Sequence, residues 1–183
     1  EPDNTSGGEE VNTYVSTIAK DLRGDGKGGT TTLMDVAHEF LYSGMRIGTF
    51  ACCNPRTDWV TDYVNRCREV NIRVDFVATH YYKGGQSPAN CINDLKSLHN
   101  ATGLPVWVTE WNNGANWTTE GGFNTDSYGW YNWGGSNDNK MNGVWLTDVL
   151  KRAENEPWLE RLAVYHAVES KRELWNWGNN QPT

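Results

Sequence analysis

Leu104-Pro105-Val106-Trp107-Val108-Thr109-Glu110-Trp111-Asn112-Asn113-Gly114 decides the reading of this 183-residue chain. β-favouring residues run for half a dozen positions and then stop on a carboxylate, an indole, two amides and a glycine. A buried strand ordinarily closes on a turn residue. Here a charged group stands where the backbone leaves the sheet, and among parallel strands that C-terminal rim is where catalytic groups collect. Glu110 is therefore the first candidate for a nucleophile.

Working outward, the flanking segments alternate. Residues 9–22 carry Val11, Tyr14, Val15, Ile18 and Leu22 at helical spacing, and a second helix is expected from Thr32 with Gly44 closing it. Residues 45–51 read as a strand, Pro55 opens a helix striped by Trp59, Val60, Tyr63, Val64 and Cys67, and 72–80 read as a strand. Pro88 leads a helix that Gly103 stops. After the strand at 104–110 comes a Gly/Asn/Trp-rich loop over 112–140, a helix over 141–154 and a last strand over 161–168. A loop of that length inside a domain is usually functional, and its aromatics argue against disorder. Alternation of this kind predicts a parallel sheet with helical crossovers. The strands suit either an open α/β layer or the second half of a (β/α)8 barrel, which needs twice as many.

Composition narrows the partner. Sixteen basic against twenty-three acidic residues leave a net charge of −7, which argues against nucleic acid or an anionic membrane surface. No apolar run approaches the roughly 18–20 residues that a membrane span needs. Ten tryptophans and eight tyrosines offer flat faces suited to sugar rings, and Trp111, Trp117, Trp130, Tyr131, Trp133, Trp175 and Trp177 lie in Gly/Asn-rich surroundings where core packing explains them poorly. Cys52, Cys53, Cys67 and Cys91 lack metal-site spacing, so no metal and no cofactor is expected, and their pairing is left open. Asn-X-Ser/Thr sequons at Asn4, Asn100 and Asn116 favour a secreted protein.

Three stretches together carry a resemblance: Glu1-Pro2-Asp3-Asn4, Val74-Asp75-Phe76-Val77-Ala78-Thr79-His80-Tyr81-Tyr82, and Pro105-Val106-Trp107-Val108-Thr109-Glu110-Trp111. The chain resembles the Asl1-like glycosyl hydrolase catalytic domains, glycoside hydrolase family 128, mostly endo-β-1,3-glucanases of the (β/α)8 fold. The resemblance implies that residues 1–183 run from the end of the fourth strand to the eighth, with the N-terminal half of the barrel upstream. It implies Glu110 as nucleophile at the end of the seventh strand and Glu1 as acid/base at the end of the fourth. Retaining hydrolysis sets two carboxyl groups roughly 5–5.5 Å apart across the scissile bond, one attacking the anomeric carbon and the other protonating the leaving oxygen.

Around them, His80, Tyr82, Trp111, Asn112, Trp117, Glu169 and Trp175 are expected to bind substrate: Tyr82 by bonding the nucleophile or stacking on a sugar, Trp111 by flooring a subsite. The expectation is a retaining endo-β-1,3-glucanase. Its alternatives are action on another polysaccharide, such as an algal galactan or a mannan, and a non-catalytic carbohydrate-binding barrel.

Overall fold

The computed structural model describes residues 43–69, 71–83, 86–113, 136–165, 175–176 and 181–182, with 136–144 and the last two pairs described by backbone alone. Helix α1 (Thr57–Glu69) turns Trp59, Val60, Tyr63, Val64 and Cys67 inward, and Trp59 stacks on Tyr63 one turn later with 5.5 Å between ring centres. Asp58 lies in its first turn and Arg66 and Arg68 in its last, which suits the helix dipole. Arg56, just ahead of the helix, holds the Asp58 carboxyl down at about 2 through a two-pronged hydrogen bond. Helix α2 (Pro88–Thr102) begins on Ser87, whose hydroxyl accepts the Asn90 N–H. It ends on Gly103 at φ 72°, a left-handed cap that glycine adopts without a Cβ penalty.

Strands β1 (Val77–Tyr81), β2 (Val106–Trp111) and β3 (Leu159–Val164) form a parallel sheet in the order β1-β2-β3, with β2 in the middle. α1, α2 and α3 (Ser136–Ala153) cover one face. There Val77, Tyr81, Val106, Val108, Trp111 and Leu159 meet Leu95 and Leu98 of α2 and Trp145 and Val149 of α3. Each such side chain, fully buried, contributes roughly 1.5–3 kcal/mol. At the chain's end β4 (Trp175–Asn176) pairs antiparallel with β5 (Gln181–Pro182), a feature the sequence reading did not foresee.

Four boundaries differ from expectation. Residues 45–51 form no strand; the segment runs beside β1, joined by parallel bridges at Gly48–Phe76 and Cys52–Thr79. The reason is Thr49, whose hydroxyl takes the Ala78 N–H at 2.9 Å where a strand would offer a carbonyl. Gly48 also lies under the Phe76 ring, where an added Cβ would fall 2.3 Å from Cε2, so no larger residue fits that crossing. β1 starts at Val77 rather than 72, because Asp75 bonds Ile47 through both its carboxylate and its N–H. β3 runs 159–164 rather than 161–168. α3 starts at Ser136, five residues before the expected 141, so the expected loop over 112–140 is shorter. Its opening Ser-Asn-Asp-Asn-Lys lacks an apolar period and was legible only as loop, although these are first-turn residue types. The two expected N-terminal helices lie outside the described residues.

Candidate active site

β2 does not keep register with its neighbours, and that irregularity builds the site. Against β1, Thr79 pairs with Val108 but His80 pairs with Glu110; against β3, Val108 pairs with Leu162 and Trp111 with Val164. Both partners thus see one extra residue on β2 after Val108: a bulge around Thr109. Side chains alternate along a strand, so Val106 and Val108 face the helices and Trp107 faces away. Unbulged, Glu110 would join the helical layer. The extra residue switches parity: Glu110 stays on the face turned away from the helices and Trp111 enters the core.

On β1 the same face carries His80 and, two residues on, Tyr82. The Tyr82 hydroxyl donates to Glu110 Oε2 at 2.7 Å, and His80 Nδ1 lies 3.4 Å from the same oxygen. Glu110 Oε1 makes no hydrogen bond among the described residues. Among the described residues the carboxylate is thus held through one oxygen, and its side chain stays 35% exposed. The His80 ring meets Tyr82 edge-on at 6.2 Å, and Tyr82 meets Tyr165 edge-on at 5.9 Å. These contacts fix the phenol's plane while its hydroxyl reaches the carboxylate.

The backbone behind these groups is held from both sides. Asn112 N–H donates to Tyr81 O, Asn112 Nδ2 to Tyr165 O, and Asn112 Oδ1 accepts the Asn113 N–H. One residue, through its backbone N–H and its side-chain amide together, therefore joins the ends of all three strands. On the outer side of β1, Cys52 O accepts the His80 N–H at 2.7 Å and Asn54 Oδ1 accepts the Tyr82 N–H at 2.9 Å.

Of the residues expected at the site, the structure brings Glu110, His80 and Tyr82 together. Two substrate-binding expectations are corrected. Trp111 is wholly buried, its ring tilted against Trp145, which in turn stacks on Tyr81, so it offers no face to a sugar. Among the described residues its Nε1–H has no hydrogen-bond partner beyond the weak acceptor offered by the Cys91 thiol. Asn112 is also wholly buried and spends its amide on the strand ends. Glu1, Trp117 and Glu169 lie outside the described residues, and Trp175 is described only as backbone of β4. Asn54 and Tyr165 were not singled out from sequence. Asn54 stands just before a helix-opening proline, where it reads as a turn residue, and Tyr165 hides in an apolar run.

Cys52, Cys53, Cys67 and Cys91 form no disulfide with one another. Burial pushes the Cys67 and Cys91 thiols up, which disfavours their reactive thiolates. Among the described residues no cluster of His, Cys, Asp or Glu could hold a metal ion, and no helix is long and apolar enough to cross a membrane.

A family model described as "Glycosyl hydrolase catalytic core" matches residues 32–181. No curated protein matches the chain by sequence. Among solved structures, the GH128 (subgroup I) endo-β-1,3-glucanase from Amycolatopsis mediterranei in complex with laminaritriose superimposes with a TM-score of 0.67 at 17% identity, covering 100% of this chain and 66% of that one. The GH128 (subgroup III) curdlan-specific exo-β-1,3-glucanase from Blastomyces gilchristii, in complex with glucose, gives 0.60 at 16% identity, with 94% and 63% covered. The GH128 (subgroup VI) exo-β-1,3-glucanase from Aureobasidium namibiae gives 0.58 at 14% identity, with 92% and 58% covered. The likeness shows a shared fold, and the chain spans slightly under two thirds of these proteins' length.

Proposed function

We propose that this chain, which belongs to the glycosyl hydrolase catalytic core family, hydrolyses a β-glucan, most specifically β-1,3-glucan, with Glu110 as nucleophile. The observation that carries the reading is the Glu110 carboxylate at the C-terminal mouth of the middle strand, held through Oε2 by the Tyr82 hydroxyl at 2.7 Å. A carboxylate held through one oxygen, with no hydrogen bond on the other among the described residues, suits in-line attack. Oε1 bonds the anomeric carbon as the glycosidic oxygen departs with a proton from the acid/base, giving a glycosyl-enzyme. Water then attacks that carbon, loses its proton to the acid/base, and releases Glu110. Glu1 is assigned the acid/base part on its Glu1-Pro2 context. The product keeps the β-configuration.

The β-1,3-glucanase activities and laminari-oligosaccharide ligand of the structural neighbours support the glycan class. Both endo and exo enzymes occur among them; internal cleavage is the mode we assign here. The same neighbours support reading the parallel strands as successive staves of a (β/α)8 wall, with the helices outside and Glu110 at the rim where such barrels keep their chemistry. Secretion is the location that fits a polymeric substrate.

In the full-length protein, Glu110→Gln keeps the side chain's size and removes its nucleophilic oxygen pair. We expect reducing-end release from laminarin to fall by at least about a thousand-fold while laminarin binding persists. Wild-type hydrolysis by this variant would overturn the assignment. A wild-type protein that binds laminarin and never cleaves it would be a carbohydrate-binding barrel. Parallel digestions of mannan and agarose distinguish the glycans.

A further inference from the structure

Among the described residues, His80 and Tyr82 meet the Glu110 carboxylate, and one short segment holds the backbone of both. Residues 52–54 leave the flank of β1 after the Cys52–Thr79 bridge. Cys52 O takes the His80 N–H, and two residues later the Asn54 side chain replaces the backbone as acceptor, taking the Tyr82 N–H at 2.9 Å. Tyr82 lies just past the end of β1, so its N–H is served by this amide oxygen in place of a strand carbonyl. Which amide atom faces Tyr82 follows from the partner, since an N–H needs the oxygen; Nδ2 then points to Cys53 Sγ at 3.9 Å.

We infer that Asn54 is a positioning residue of the site, acting through Tyr82 on Glu110; this rests on the reading of Glu110 as nucleophile. The phenol hydroxyl is the far end of a long rigid lever whose pivot is the Tyr82 backbone. A small rotation there carries the oxygen off a 2.7 Å hydrogen bond. The edge-on rings of His80 and Tyr165 fix the phenol's plane, and Asn54 fixes where that plane starts. Misplacements on the scale of an ångström in catalytic geometry cost up to about a hundred-fold in rate.

The test is a double-mutant cycle in the full-length protein, read as kcat and KM on laminarin. Asn54→Leu keeps the volume and removes the acceptor; it lowers kcat about ten-fold with KM within about two-fold, the split expected when orientation rather than binding is lost. Asn54→Asp restores an acceptor oxygen and recovers most of the rate. Adding Asn54→Leu to Tyr82→Phe costs less than about two-fold further, because the hydroxyl that Asn54 positions is already gone. If Asn54→Leu is unfolded by circular dichroism, Asn54→Ala carries the same expectations. A wild-type kcat in the folded variant, or a loss that adds in full to that of Tyr82→Phe, overturns the role. Glu110→Gln run beside them separates the two claims: if it is inactive while Asn54→Leu is wild type, only the role of Asn54 fails. If it hydrolyses laminarin normally, the reading of the site fails and this role with it.

Discussion

Replacing Tyr82 by phenylalanine removes one oxygen and little else. The ring keeps its edge-on contacts with His80 and Tyr165, at 6.2 and 5.9 Å, and the backbone keeps its bond to Asn54. What disappears is the 2.7 Å hydrogen bond to Glu110 Oε2, leaving, among the described residues, His80 Nδ1 at 3.4 Å on that oxygen. A hydrogen bond to a charged group contributes about 1.5–3 kcal/mol. The Glu110 side chain is 35% exposed, so water partly replaces the lost donor and the low end applies. A loss of about 1.5 kcal/mol corresponds to about ten-fold or slightly more in kcat/KM for the proposed β-1,3-glucan hydrolysis. The assay is initial-rate reducing-end release from laminarin, with a thermal melt confirming that the variant is folded. Unchanged kcat/KM in a folded Tyr82→Phe variant would refute the idea that this hydroxyl orients the nucleophile.

Two further outcomes follow from the same geometry. Trp111→Phe shrinks a wholly buried indole against Trp145, so it lowers Tm by an amount equivalent to about 1–3 kcal/mol while KM for laminarin stays put; a raised KM with unchanged Tm would return Trp111 to a subsite. Glu160 lies beside Arg46 at 2.7 Å and accepts the Trp107 Nε1–H, and these hydrogen bonds, that of Arg46 foremost, hold its carboxyl below the usual carboxylate range. A carboxyl lowered on folding stabilises the protein above its unfolded pKa and loses that contribution as pH falls through the folded value. Melting curves of Glu160→Gln and wild type should therefore differ at neutral pH and converge in acid, and a pH-independent gap would contradict this.

The parts of the fold legible in the sequence were those set by local physics. The Trp59–Cys67 stripe gave α1, Ser87-Pro88 and Gly103 bounded α2, and the alternation of helix and strand gave the parallel sheet. Boundaries failed where a side chain took over a backbone role. Thr49 spends its hydroxyl on the β1 ladder and Asp75 its carboxylate on Ile47, and no apolar pattern registers either. Within the candidate site, Glu110, His80 and Tyr82 were legible as residues at strand ends, and the structure brings their side chains together. Trp111 was misread because strict alternation does not anticipate the bulge at Thr109, which is visible only against the registers of β1 and β3. Asn54 was missed because its partner is twenty-eight residues away in sequence.

The most direct test of Glu110 as nucleophile is to trap it. A 2-deoxy-2-fluoro laminari-oligosaccharide with a dinitrophenolate leaving group should acylate nothing and glycosylate one carboxylate: the Glu110 oxygen bonds the anomeric carbon as dinitrophenolate leaves, and the fluorine slows hydrolysis of the adduct. Digestion and mass spectrometry of the full-length protein should find the sugar on the peptide that contains Glu110. An active enzyme that forms no adduct, or carries it on another carboxylate, would contradict the account.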